Sequence, residues 1–328
     1  TATATEDATA VADSEVSTGT GDDSLEVTAT ATEDATAVAD SEVSTGDGDD
    51  LIELDSSVET SDEATEEGVA KGVVDTTINA GADDDALLME VTGEALAIGM
   101  ENSTLNVGDS DDVIDVIVEA TNEDGEAIGL NGSTISSGGG DDAIYVEVWG
   151  ENSAKAMVDG SIEAGDGDDN ITVDGEIQNS TIDAGDGDDV VDLYGTGNAI
   201  VKGGAGDDEL NGDEGDETLE GGADNDILNG YDGNDTLKGG EGDDILDAGV
   251  GLDKLYGGDG EDTFILNLGD GYSTIHDFTI GEDILQFNDI SEIRVEYKDE
   301  SSMFYSGEDY LGIANNVQLS KQDDGTFA

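Results

Sequence analysis

From Gly203 to Ile265 the chain cuts, without insertion, into seven consecutive nine-residue units. The first is Gly203-Gly204-Ala205-Gly206-Asp207-Asp208-Glu209-Leu210-Asn211, and the last is Gly257-Gly258-Asp259-Gly260-Glu261-Asp262-Thr263-Phe264-Ile265. Position eight is apolar in all seven (Leu210, Leu219, Leu228, Leu237, Leu246, Leu255, Phe264), and position six is Asp in all but the second, which has Glu217. A unit this short cannot bury its apolar side chain alone. A fixed nine-residue period therefore demands stacking, which is the mark of a solenoid.

Each unit divides into a glycine turn and an x-U-x tail that makes a three-residue strand with one inward apolar side chain. The glycines allow positive-φ, closely packed backbone. Two units close one flattened coil of eighteen residues, and coils stack as parallel strands about 4.8 Å apart. Stacking sets each position-six Asp above the one eighteen residues on, a column that repels itself unless a cation lies within it. Ca²⁺ takes six to eight oxygens, which stacked carboxylates and turn carbonyls can supply.

The motif resembles the RTX (repeats-in-toxin, or hemolysin-type calcium-binding) repeat family. The resemblance is near complete over Gly203–Ile265. It implies a parallel β-roll whose turns bind several Ca²⁺ ions, and export by a one-step type I secretion system. Asp213, Asp224 and Tyr231 replace glycines, Ala248 replaces the first glycine of its unit, and Glu217 replaces the Asp.

Upstream, residues Thr1–Gly19 recur identically as Thr28–Gly46, a period of 27. Related turns end at Asp23, Asp50, Asp85, Asp112, Asp142, Asp169 and Asp189, spaced by 27, 35, 27, 30, 27 and 20 residues, with 19 more to Asp208. Two residues past each stands an apolar side chain: Leu25, Ile52, Leu87, Ile114, Ile144, Ile171 and Val191. The first two hundred residues thus read as the same solenoid with wider, tapering coils. One strand follows each turn (Ile144–Val148), one precedes the next (Ser103–Val107), and a third is expected between them (Ala35–Ala39). Segments Thr60–Ala70 and Thr121–Gly125 read as longer loops. On the opposite edge the corresponding positions are Ser14, Ser41, Thr76, Ser103, Ser133, Gly160, Ser180 and Ala199, none acidic. One long calcium column is expected through Asp23, Asp50, Asp85, Asp112, Asp142, Asp169, Asp189, Asp208, Asp226, Asp244 and Asp262. A short one holds Asp235 and Asp253 with Glu217. The alternative for the upstream aspartates is that they only cap turns through backbone hydrogen bonds.

Formal net charge is −77, from 85 acidic against 8 basic residues. A polyanion of this strength excludes nucleic acid and anionic membrane surfaces as partners. There is no Cys for a disulfide or thiolate site and no Pro to interrupt ladder pairing. No apolar run approaches the roughly 20 residues of a membrane span, and the start lacks a signal peptide's basic and apolar regions. Thr1 begins inside a repeat, so the chain is expected to be a piece of something longer. The tail gathers aromatics: Tyr272, Phe278, Phe287, Tyr297, Phe304, Tyr305, Tyr310 and Phe327. It looks like the block that closes RTX arrays and, by that resemblance, carries the uncleaved export signal. His276 is the only histidine, which excludes an HExxH zinc site, and no G-x-S-x-G elbow or P-loop occurs. No enzyme activity is expected. Trp149, the sole Trp, reads as a core or solvent-exposed strand residue.

These readings converge on an all-β fold: a right-handed parallel β-roll or β-helix, wide-coiled over 1–202, regular over 203–265 and capped over 266–328. The expected role is a secreted, calcium-folded structural protein of the cell surface (surface layer, sheath or fibril) that self-associates. An adhesin stalk that grips glycans or another cell is the alternative, or the export part of a larger toxin or enzyme.

Overall fold

The computed structural model describes residues 1–3, 7–58, 68–151, 153–267, 271–287, 294–298, 301–306 and 309–315. Every regular element among them is a β-strand, and pairing is largely parallel. The chain forms two compact units, Thr1–Asp183 and Ala184–Ala328.

In the first unit the coils contribute three strands each, except the one from Asn170, where the second and third merge into Glu176–Asp186. The strands after the glycine turns (Ser24–Ala31, Leu51–Val58, Ala86–Gly93, Val113–Ala120, Ala143–Gly150, Asn170–Asp174) stack in parallel. Their register aligns Leu25, Ile52, Leu87, Ile114, Ile144 and Ile171 in one row. Burial alternates along them, as strand geometry requires of a sheet with one face on the core. The expected third strand is present as Asp34–Ala39, stacked on Ala8–Ala12 and Val69–Val74. A further row (Glu42–Asp47, Thr77–Ala82, Thr104–Asp109, Thr134–Gly139) leads into the next turn. The change of coil length from 27 to 30 is absorbed between Val113–Ala120 and Glu126–Asn131, so Thr121–Gly125 is a loop as expected. Of the other expected loop, Val69 and Ala70 belong to the strand Val69–Val74, and 60–67 lie outside the described residues.

A two-residue kink joins the second and third strands. Asp13, Asp40, Asp75, Asn102, Asp159 and Asn179 have φ between 47° and 50°, the left-handed region that Asp and Asn tolerate best. Each precedes a position of the edge opposite the Asp column: Ser14, Ser41, Thr76, Ser103, Gly160 and Ser180.

In the second unit the period is eighteen. Leu210, Leu228, Leu246 and Phe264 form one inward row and Leu219, Leu237 and Leu255 another, all with no solvent exposure. Within the nonapeptide array, Glu209–Asn211, Ile227–Asn229 and Ile245–Asp247 on one side are three-residue strands. Opposite them the strands run six residues (Thr218–Ala223, Thr236–Glu241, Lys254–Asp259), continuing through the glycines of the next unit. Parallel stacking continues into Ser273–Ile275 and Ile284–Phe287. Then the sense changes: Arg294–Lys298, Ser301–Ser306 and Asp309–Ala314 pair antiparallel, the last also lying parallel to Ser273–Ile275. Phe264 packs on Phe278 and Phe287 on Phe304, with ring centroids 5.9 and 5.4 Å apart. His276 stacks on Tyr256 at 4.5 Å. Phe327 lies outside the described residues.

Candidate calcium-binding edges

Two opposed hydrogen-bond ladders stitch the turns of each column. At position six, the carboxylate of each rung accepts the N–H of the previous rung's position-six residue. In the first unit Asp23 N–H reaches Asp50 Oδ1 (2.7 Å), Asp50 reaches Asp85 (2.8 Å), Asp85 reaches Asp112 (2.7 Å), Asp112 reaches Asp142 (2.8 Å) and Asp142 reaches Asp169 (2.8 Å). In the second unit Asp189 reaches Asp208 (2.9 Å), Asp208 reaches Asp226 (3.0 Å), Asp226 reaches Asp244 (2.9 Å) and Asp244 reaches Asp262 (3.1 Å). On the other edge of the second unit Glu217 N–H reaches Asp235 (2.9 Å) and Asp235 reaches Asp253 (3.2 Å). The position-six residues expected to be ligands therefore form rows, one in the first unit and two in the second.

The second ladder, at position five, escaped the sequence reading. Here the acceptor belongs to the earlier rung: Asn225 N–H reaches Asp207 Oδ1 (2.8 Å), Asp243 reaches Asn225 (2.9 Å) and Glu261 reaches Asp243 (2.8 Å). Asp141 and Asp168 do the same upstream, on Asp111 and Asp141. The only signal was a preference for Asp or Asn, hidden among many acidic turn residues.

Except at Asp23 and Glu217, which begin their rows, one oxygen of these position-six carboxylates is thus committed to the neighbouring rung. The other is not. Oδ2 of Asp23, Asp50, Asp85, Asp112, Asp142, Asp208, Asp226, Asp235 and Asp244, and Oε2 of Glu217, are buried without a hydrogen-bond partner. A row of buried anionic oxygens is too costly for a fold to hold without compensation. In the second unit the carboxylates of Asp208, Asp226, Asp244 and Asp262 fold back over the first glycine of their own unit. A Cβ at Gly203, Gly221, Gly239 or Gly257 would collide with them. The cradle therefore needs glycine there and leaves only oxygen donors facing it. Among the described residues no three Asp, Glu, His or Cys side chains converge into a cluster that could hold a metal by themselves. Carboxylates in a row, completed by turn carbonyls, suit a hard, high-coordination cation such as Ca²⁺ rather than Zn²⁺.

Without a cation several of these carboxyls bind a proton more tightly than usual. Burial, countered in part by the rung N–H bond and reinforced by neighbouring carboxylates, pushes Asp112, Asp208 and Asp226 up to about 7 and Asp235 to about 8. Burial first, with Asp213 and Asp216 behind it, lifts Glu217 to about 7, and Asp85 rises to about 6. Asp142 and Asp244 move in the same direction.

The rows end differently from their middles. Asp283, absent from the expected ligands, adds a rung beyond the nonapeptides: its Oδ1 accepts Asp262 N–H (3.2 Å) and its Oδ2 accepts Thr279 N–H (2.6 Å). On the other edge Asp253 Oδ2 accepts the Ser273 hydroxyl (3.1 Å), so this expected ligand has both oxygens engaged. In the first unit the opposite edge is a hydroxyl ladder. Ser41, Thr76, Ser103 and Ser133 each accept the N–H of the previous rung (3.0–3.2 Å). Each also donates to the carbonyl two residues before itself.

Against this geometry the comparisons fall into place. A family model described as the RTX calcium-binding nonapeptide repeat matches in four overlapping copies, at 193–228, 220–253, 229–264 and 238–272. Residues 193–272 are RTX calcium-binding nonapeptide repeats, and the buried acidic ladder that runs through them is of the kind that binds Ca²⁺. No curated protein matches the chain. Among solved structures, the extracellular lipase LipA from Serratia marcescens is similar at 17% identity, over 48% of this chain and 38% of the lipase, with a TM-score of 0.25. The chain thus spans well under half the length of that lipase.

Proposed function

We propose that the protein is a secreted structural component of a cell surface, in a layer, sheath or fibril, and that it folds where it meets extracellular Ca²⁺. The observation that carries this reading is the row of buried position-six oxygens lacking any partner within the protein. The proposed ligands are Asp23, Asp50, Asp85, Asp112, Asp142 and Asp169 in the first unit and Asp189, Asp208, Asp226, Asp244 and Asp262 in the second, with Asp235 on its other edge; Asp253, whose second oxygen takes the Ser273 hydroxyl, ends that row. Bound Ca²⁺ supplies positive charge between rungs. The chain supplies the carboxylates, the glycine cradle and the turn carbonyls.

Export and folding are then one problem. With 85 acidic side chains the metal-free chain repels itself and stays open for one-step type I export. Outside, sites of extracellular affinity (about 10⁻⁴–10⁻³ M) fill. Each site at about 100-fold over its Kd adds about 2.7 kcal/mol, so a handful matches the whole 5–15 kcal/mol stability of an ordinary domain. No disulfide is needed for this, and none is possible. Residues 266–328 serve as cap and export region. No enzymatic role is assigned.

Circular dichroism with and without millimolar Ca²⁺, followed by electron microscopy, tests the reading. A calcium-induced β signal and ordered assemblies are expected, and no calcium response would remove it. An adhesin role has one specific observation in its favour. Trp149, 48% exposed, stands beside Glu119, Thr121 and Glu151 next to the 121–125 loop. Binding on a glycan array, lost in Trp149→Ala, would move the assignment there.

A further inference from the structure

Two departures from the nonapeptide pattern meet in one place on the second unit. The first is Tyr231, which stands where Gly222, Gly240 and Gly258 complete a glycine pair. Its φ is 63°, a region that bulky side chains resist, and the residue is 54% exposed. On the next rung Gly249, stacked on the Tyr231 carbonyl, fills the same place at φ 76°. The coil therefore does not need a tyrosine here, and strain that the fold does not require points to a use for the side chain. The second departure lies in the outward row beside it. Asn211 Nδ2 donates to Asp192 Oδ1 (2.9 Å), Asn229 Nδ2 to Asn211 Oδ1 (2.7 Å) and Asn267 Nδ2 to Asp247 Oδ1. Each amide reaches back to the rung before, but the row breaks between Asn229 and its register partner Asp247. A carboxylate has no hydrogen to give. Both bonds that Asp247 accepts, from Asn267 and from the Gly249 N–H, fall on Oδ1. Asn229 Oδ1 and Asp247 Oδ2 are thus left on adjacent rungs, about 4.8 Å apart along the ladder, as acceptors with no donor among the described residues.

Asn229, Tyr231, Asp232, Asp247 and Asn267 line a cleft of about 220 Å³ at this point. The geometry points to a binding site for the guanidinium of an arginine side chain, carried by a basic partner segment. The cleft offers spare acceptors, two carboxylates and one aromatic side chain, and no Lys or Arg lines it. Charge excludes an anion, and a neutral ligand would leave both carboxylates uncompensated. A guanidinium only donates. Its planar fork can pair with Asp247 and keep an N–H for Asn229, and its face stacks on an aromatic ring. The chain's own arginine is held in the same manner: Arg294 lies over the Tyr305 ring, 4.3 Å from its centroid, and donates to Glu296. A chain of net charge −77 also draws basic partners from a distance. This inference goes beyond the structural role proposed above and does not depend on it.

The test is a titration of the full chain followed by heteronuclear NMR, in saturating Ca²⁺ and about 0.15 M salt to screen general attraction to the polyanion. The probe is N-acetyl-arginine amide, with N-acetyl-lysine amide and methyl glucoside as controls. The arginine probe should shift the side-chain amide signals of Asn229 and Asn267 and the ring signals of Tyr231. Two variants sharpen the result, Tyr231→Gly and Asp247→Asn. Each brings in the residue that a neighbouring rung already carries, Gly249 and Asn229, so both should keep the calcium-induced β signal and an undiminished melting temperature. The dissociation constant should nevertheless rise about threefold in Tyr231→Gly and about tenfold or more in Asp247→Asn. A purely structural Tyr231 or Asp247 would change melting and leave binding alone. Absent shifts, equal affinity in the parent chain and both variants, or an equal response to the lysine probe overturns the proposal. So does tighter binding of methyl glucoside, which would give the cleft to a glycan. Failure of the calcium reading would show separately, as a missing β signal before any probe is added.

Discussion

The two edges of the first unit do the same backbone work with different chemistry. On one, Asp50, Asp85, Asp112 and Asp142 each accept the N–H of the rung before at 2.7–2.8 Å. On the other, Ser41, Thr76, Ser103 and Ser133 accept the corresponding N–H at 3.0–3.2 Å. The hydroxyls spend their remaining capacity on a carbonyl two residues back. The carboxylates keep one buried oxygen with no partner. If capping were the whole task, a neutral hydroxyl would serve on both edges without the cost of buried charge. The carboxylate edge therefore carries something the hydroxyl edge does not, and this is the physical case for extending calcium binding upstream of the regular array.

Chelation should break the comparison most completely. With EDTA at pH 8 the carboxylate edges lose their counterions while the hydroxyl edge keeps every bond. Far-ultraviolet circular dichroism should report loss of most β signal from both units. Survival of the first unit alone would confine Ca²⁺ to the RTX repeats and return the upstream aspartates to simple capping.

Exchanging the edges comes next. Asp112→Ser keeps an acceptor for Asp85 N–H and removes the spare oxygen, so equilibrium dialysis should count fewer bound ions while the β signal in saturating Ca²⁺ is kept. Ser103→Asp does the reverse: Ser103 is buried and its hydroxyl donates to the Glu101 carbonyl at 2.8 Å. A carboxylate cannot donate, so about 1–3 kcal/mol should be lost, and added Ca²⁺ should not recover it. Equal damage from both substitutions would mean that the edges do not differ as argued.

Acid offers a gentler probe. In the absence of metal the folded pKa values of about 6 for Asp85, 7 for Asp112 and 8 for Asp235 lie above the ordinary 3.8. A raised folded pKa means that the folded state holds the proton more tightly. The resulting stability is complete below about pH 4 and is lost as pH rises through 6 to 8. Calcium-free protein should therefore recover β signal as pH falls from 8 to 5, and Ca²⁺ binding near pH 7 should release protons measurable by calorimetry in buffers of different ionisation heat. A calcium-free β signal that grows with rising pH would contradict the burial of these carboxylates.

Much of this was legible in the residues themselves. Position-eight side chains and the Asp rows carry strong periodic signals because each repeats a physical demand, core burial or rung capping, at every coil. Three features were not. The kinks at Asp40, Asp75 and Asn102 depend on a positive φ that a single Asp or Asn does not announce. The antiparallel strands 294–314 have no period to betray them. Three- and six-residue strands alternate because the strand runs on through an intact Gly-Gly pair (Gly221-Gly222, Gly239-Gly240, Gly257-Gly258) and stops where the pair is broken (Gly212-Asp213, Gly230-Tyr231, Ala248-Gly249), a difference the nine-residue period alone does not announce.

Position five shows why a real ladder can hide, and it also sets the smallest predicted effect. Its bonds lie at the surface, run against the position-six ladder, and accept either Asp or Asn, so no single residue type marks them. Leu252 stands in the same place with no acceptor at all and is 54% exposed, while its own N–H still bonds Asn234 Oδ1 at 3.1 Å. A rung can therefore lose the acceptor and survive. Asn225→Leu removes the acceptor for Asp243 N–H and the Nδ2 donor to Asp207 Oδ1, and should cost about 1 kcal/mol, the low end for two hydrogen bonds at the surface. The ion count should not change, since Asp226 and its cradle at Gly221 are untouched. Thermal melts at fixed Ca²⁺ read the first and equilibrium dialysis the second. If Asn225→Leu instead lost an ion, the two ladders would be one site, and the division of labour between position five and position six would have to be redrawn.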